Sequence, residues 1–181
     1  MTYSSFLQLD SKVEYQTQWE IHYCKHPVFT FDDICVRFQK GDFDHAFYES
    51  IKSKSSKDVF SKKRAERLHW IKAALQDPKS ERFAGWNNIK RRHDHTRRVT
   101  VVTGNYVVVI ALLSKKVNEA RFITAYVADT IGKNGRPSTI DLIRSGPLWE
   151  SKKIKIPLIR QAGSAEAFIG STITDEELPS I

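Results

Sequence analysis

Four side chains able to handle a phosphate or a base interrupt the most sheet-like stretch of this 181-residue chain, RRVTVVTGNYVVVIALLSKKVNEARFITAYVAD at residues 97–129. They are Arg98, Thr100, Thr124 and Tyr126. An arginine fork binds a phosphate bidentately, hydroxyls donate to its oxygens, and a tyrosine ring stacks on a base. Set among valines, the four suit a phosphodiester. Threonine and tyrosine are also ordinary strand formers, and Arg98 fits equally well as a solvated strand end. The chemistry depends on whether the fold brings them onto one face.

A hairpin is the element that must do this. Gly104-Asn105 reads as a two-residue turn, pairing 103 with 106, 101 with 108 and 99 with 110. Alternation then puts Val99, Val101, Val108, Ile110 and Leu112 on one side, with Arg98 and Thr100 on the other. A third strand over 120–128 joins after SKKVNE at 114–119. If its apolar side joins theirs, Thr124 and Tyr126 fall beside Arg98 and Thr100. The apolar side is expected to pack a helix over 61–76, SKKRAERLHWIKAALQ, with Leu68, Ile71 and Leu75 as its stripe, Ser61 as its cap and Pro78 as its stop.

The flanking chain supplies the rest. Residues 13–23 alternate Val13, Tyr15, Thr17, Trp19, Ile21 and Tyr23, which predicts a half-buried strand. Thr30 and Asp33 have capping-box spacing, which predicts a short helix ended by Gly41. Another helix begins near Phe43. KSKSSKD at 52–58 reads as a linker, 79–96 as a loop, 132–138 as a loop, and TIDLIRS at 139–145 as a short helix. The chain closes on an acidic TDEELPSI.

Charge narrows the partner. Residues 52–98 hold fifteen Lys and Arg against five Asp and Glu, a cationic block that suits a polyanion, nucleic acid first. No apolar run approaches the roughly 18 residues of a membrane span, so no membrane partner is expected. The start has no signal-peptide pattern. Two cysteines, Cys24 and Cys35, fit a reduced, cytoplasmic site of action. His22, Cys24 and His26 offer metal-ligand types, but their every-second-residue spacing matches no zinc pattern, and no metal or other cofactor is expected. Phosphate-binding P-loop, serine-hydrolase and zinc-protease motifs do not occur.

A basic helix of the type FSKKRAERLHWIKAALQDP, then the hairpin RRVTVVTGNYVVVIAL, then a strand ending RFITAYVAD, resembles the barnase–EndoU–colicin E5/D–RelE superfamily in its phage-associated and toxin-type branches. The likeness covers roughly residues 43–129. It implies an α+β fold, N-terminal helices packed on a small twisted antiparallel β-sheet. The implied division is an N-terminal extension over 1–42, a nuclease core over 43–150 and a tail over 151–181. It implies a metal-independent ribonuclease, often a toxin, with RNA as substrate and an acidic immunity or antitoxin protein as partner. Position by position, His45, Arg98, Thr124 and Tyr126 correspond to catalytic groups. Lys63, Arg64 or Arg67 correspond to phosphate-binding cations, and Arg97 and Trp86 are further candidates for binding substrate.

The expected reaction is attack of a ribose 2′-hydroxyl on phosphorus with loss of the 5′-oxygen, leaving a 2′,3′-cyclic phosphate. It needs a base, a cationic cradle and an acid. Histidine serves either proton role near neutrality. His93 and His95, flanked by arginines, suit phosphate contact better than metal. The alternative is a non-catalytic RNA- or DNA-binding module using the same cations, with Trp70, Trp86 and Tyr126 as stacking surfaces.

Overall fold

The computed structural model describes residues 3–49, 59–87, 89–113, 118–130, 132 and 137–150. The expected linker at 52–58, most of the 114–119 return and the tail lie outside them. The elements begin with α1 (Lys12–Trp19), continued by a π-helical turn (Glu20–Cys24), then β1 (Val28–Phe29) and β2 (Cys35–Arg37). Next come α2 (Asp42–Phe47), β3 (Tyr48–Glu49), β4 (Val59–Phe60), α3 (Lys62–Ala65) and α4 (Leu68–Gln76). The chain continues through β5 (Glu81–Asn87), β6 (Arg92–Val102), β7 (Tyr106–Leu112) and β8 (Glu119–Val127) to α5 (Thr139–Arg144). These lie in one compact unit.

The architecture is α+β, but the sheet is not small. Six strands run in the order β1-β2-β8-β7-β6-β5, antiparallel except where β2 meets β8. β3 and β4 form a separate pair. Residues 12–42 give the sheet two of its strands and give the core its aromatic centre.

That centre corrects the expected strand at 13–23. Ser11 and Glu14 close a capping box, and the chain enters a helix instead. Tyr15, Trp19 and Tyr23 are buried, while Val13 and Ile21 are exposed. A spacing of four residues satisfies both a two-residue and a helical period. The exposed Val13 and Ile21 identify the helical one. Trp19 is ringed by Tyr23, Phe38, Phe43, Phe47 and Phe122 at centroid distances of 4.9–6.3 Å. Its indole N–H donates to the Gln39 carbonyl at 3.1 Å, so the buried polar atom is satisfied.

The helix expected after Thr30 is likewise a turn between β1 and β2. The Thr30 hydroxyl donates to Asp32 at 2.7 Å and accepts from the Ile34 N–H at 3.0 Å. Asp33 takes a left-handed φ of 63°, which an aspartate tolerates in a tight turn. Such local side-chain hydrogen bonding competes with helix formation.

The 61–76 helix is two helices. Its break at Glu66–Arg67 frees carbonyls that find other donors. The Leu7 N–H donates to Glu66 at 2.8 Å, and the Tyr106 hydroxyl donates to Arg67 at 3.3 Å. Ser61 does not cap; its hydroxyl donates to Glu49 at 2.9 Å. The apolar stripe of Leu68, Ile71 and Leu75 is buried as expected.

Residues 81–87 and 92–96, read as loop, are strands. A bulge lets them pair despite their polarity: Ala84 faces Arg98, whereas Gly85 already faces Asp94. A Cβ on Gly85 would sit 2.7 Å from the Arg97 Cβ, so only glycine allows this close crossing.

Candidate active site

Register decides which polar groups meet. The β6–β7 turn holds three residues, not two. Thr103 and Gly104 have φ of 49° and 77°, and Val102 pairs with Tyr106. The pairing is therefore shifted by one from expectation, and a one-residue shift exchanges the faces. Arg98, Thr100, Val102, Tyr106, Val108 and Ile110 share the side that packs α4. Arg97, Val99, Val101, Val107, Val109 and Ala111 share the other.

On β8, Thr124 pairs with Val109 and Tyr126 with Val107. Both thus lie on the face opposite to Arg98 and Thr100, correcting the expected groove. Arg98 is fully buried, and its Nη1 donates to both Asp32 oxygens at 2.7 and 2.9 Å. Its guanidinium also lies 5.2 Å from the Trp149 ring. Burial pulls the Arg98 pKa down, and Asp32 opposes that pull. This arginine is committed to the core.

Its neighbour takes the surface position. Arg97 pairs with Ala111, and Ala111 with Arg121, so two arginines flank one small residue on the Thr124–Tyr126 face. Arg121 is exposed, and Arg97, Ala111, Val109, Thr124 and Tyr126 are half-buried. Neither arginine forms a salt bridge among the described residues. Farther along the same face, Ile140 and Ile143 of α5 pack on the cluster of Val99, Val101, Val107 and Phe83.

One edge of β8 supplies the rim. β2 pairs with β8 only over Glu119–Arg121, and α2 packs against β8. Phe43, Ala46 and Phe47 face the core, which leaves His45 exposed. The Thr124 hydroxyl donates to the His45 carbonyl at 3.3 Å. Asp42, one turn before His45, has its carboxyl pushed up by burial, with a hydrogen bond from Gln39 and the charges of His45 and Arg121 pulling it back.

α3 completes the rim. The Arg64 guanidinium lies 6.0 Å from the Tyr126 ring and its Nε contacts Glu49 at 2.7 Å. Burial pushes the Tyr126 hydroxyl up, and Arg64 only partly opposes it. Tyr126 therefore stays protonated at neutral pH and acts as a donor. Lys63 pairs with Asp129, whose carboxyl this contact lowers.

The structure thus gathers Thr124, Tyr126 and Arg64, with the main-chain carbonyl of His45 bonded to Thr124, Arg97 on the same face and Lys63 held on α3. It does not bring Arg98 or Arg67 to them. Arg67 stacks over Phe6 at 4.4 Å and Trp70 at 5.5 Å. Trp86 stands exposed on the β5–β6 hairpin. Two groups escaped the sequence reading. Arg121 sits in the RFITAY segment itself, and only the register gives it a place beside Arg97. Glu49 follows His45 by four residues and is fixed by Arg64 and Ser61.

No family model, curated protein or solved structure matches this chain. Among the described residues no helix is long and apolar enough to cross a membrane.

Proposed function

We propose that this face binds an RNA phosphodiester and cleaves it without a metal ion. The observation that carries the reading is the Arg97–Ala111–Arg121 row on the face of Thr124 and Tyr126, with His45 held to Thr124 at its rim. Arg97 and Arg121, in no salt bridge among the described residues, cradle the phosphate and stabilise the charge that builds on its oxygens. Thr124 and Tyr126 donate hydrogen bonds. His45 carries a proton, and Glu49 is the second titratable group offered by the same segment.

The steps balance without a co-reactant. The ribose 2′-oxygen bonds to phosphorus as a rim base takes its proton. The P–O5′ bond breaks and the 5′-oxygen takes up a proton. The products are a 2′,3′-cyclic phosphate and a 5′-hydroxyl end. DNA lacks the attacking hydroxyl and resists. Arg98 has no part in this scheme. A toxin role, with an acidic immunity or antitoxin protein covering the cationic face, accords with the same surface.

The test is digestion of total RNA in EDTA by wild type and His45→Ala, with end-group analysis. Cyclic phosphate ends from wild type, and a loss of about 10²–10⁴ in rate for the variant, are expected. RNA that is retarded but intact would instead support the non-catalytic binding module.

A further inference from the structure

The β5–β6 hairpin extends past its bulge as a two-stranded ribbon whose charge is used differently from that of the rim. On α3, Lys63 and Arg64 are neutralised by Asp129 and Glu49. On the ribbon, Arg91 and Arg92 are exposed and form no salt bridge among the described residues. Trp86 is 51% exposed, and its cross-strand partner is His93, ring to ring at 5.3 Å; Arg92 pairs with Asn87 and so alternates to the other face, and Arg91 stands in the turn with a φ of 47°. An exposed aromatic face on the same hairpin as cations is the pairing that single-strand sites use, the ring for a base and the cations for the backbone.

The ribbon is also held in shape. Asp94 accepts from the Thr96 N–H at 3.0 Å, the Thr96 hydroxyl at 2.8 Å, Lys90 at 3.0 Å and Asn87 at 3.2 Å. These bonds, the Thr96 backbone one foremost, hold its carboxyl well below the usual range. At the base, the His93 Nδ1 hydrogen-bonds the Ala84 carbonyl at 3.0 Å, and the Trp149 indole donates to the His95 carbonyl at 2.9 Å. A surface fixed before binding loses little entropy on contact.

We infer that the ribbon is a docking arm for single-stranded RNA, an unpaired base stacking on Trp86 while Arg91 in the turn and Arg92 on the opposite face hold phosphates of a strand that passes around the ribbon's tip. Stacking on a flat ring requires an unstacked base, which a duplex does not offer. The assignment to RNA rests on the cleavage reading of the neighbouring face; the stacking and charge do not.

The test measures binding separately from cleavage. The probe is a labelled 2′-O-methyl oligonucleotide of about 12 nucleotides, within the roughly 4–16-nucleotide span of single-strand sites. It lacks the attacking hydroxyl. Its affinity is read by fluorescence anisotropy over a salt titration, beside a duplex of the same sequence. Trp86→Ala is expected to weaken the single strand about tenfold. Arg91→Ala with Arg92→Ala is expected to reduce the salt slope by about 1.4, or 0.7 per phosphate contact. Both arm variants alter exposed side chains, and circular dichroism verifies their fold. Wild-type affinity in the folded arm variants would overturn the inference, as would equal duplex binding that ignores Trp86. Arm-dependent binding with no cleavage of unmodified RNA would overturn the proposed activity and leave the arm standing.

Discussion

Arg97 and Arg121 occupy one cross-strand row with Ala111 between them, on the face that carries Thr124 and Tyr126. Adjacent strands lie about 4.8 Å apart, so the two backbones are about 10 Å apart, and two long forks can converge over the alanine.

Removing either fork is expected to cost activity without costing the fold. Arg121→Ala should lower kcat/KM on RNA by about 10², the scale of one lost oxyanion donor. Its thermal midpoint should stay near that of wild type, because the side chain is exposed. Unchanged kcat/KM in Arg97→Ala and Arg121→Ala would remove the phosphate cradle from the proposal.

Asp32 behaves oppositely. Asp32→Ala strands the buried Arg98 guanidinium and should destabilise by about 3 kcal/mol at neutral pH. Burial raises the Asp32 pKa, but hydrogen bonds from Thr30 and Arg98 outweigh it and the net shift is downward. A depressed carboxyl stabilises the fold above its unfolded pKa of about 3.9 and loses that contribution as the pH falls through the folded value. Urea unfolding from neutral pH to below about pH 4 should therefore show wild type and variant converging in acid. A gap that stays constant with pH would refute the pairing.

Gly85→Ala tests the bulge. The new methyl would meet the Arg97 Cβ at 2.7 Å and a Val99 methyl at 3.3 Å, and neither is the free end of a flexible chain. Overpacking of this kind should cost about 1–3 kcal/mol and displace Arg97. Chemical denaturation and RNA cleavage should fall together.

Trp19→Ala and Val13→Ser distinguish the helix from the strand reading of 13–23. Loss of the ringed indole should cost about 3–5 kcal/mol. The exposed Val13 should tolerate serine within about 0.5 kcal/mol. A large loss from Val13→Ser would place that side chain in the core and contradict the helix.

Much of the fold around the candidate site was legible as residue types. The segments RRVTVV, YVVVIAL and RFITAYV are strands, and the stripe of Leu68, Ile71 and Leu75 is buried. Thr124 bonds the main-chain carbonyl of His45, and Arg64 lies over the Tyr126 ring. The choice between Arg97 and Arg98 was not legible, because the pair is chemically identical and the turn TGN supports either length. The polar strands of the ribbon were also hidden. Their pairing depends on Asp94, Asn87 and Gly85 acting across the hairpin, which no periodicity reveals.

The sequence by itself determined where charge accumulates, which segments alternate, and which side chains are able to handle a phosphate. These follow from side-chain chemistry and local spacing. Only the tertiary structure decided that Arg98 is sealed against Asp32 while Arg97 and Arg121 face outward, and that Tyr15, Trp19 and Tyr23 lie on a helix. Hydrogen bonds between distant segments set the register, and a single residue of register sends an arginine to the core or to the surface.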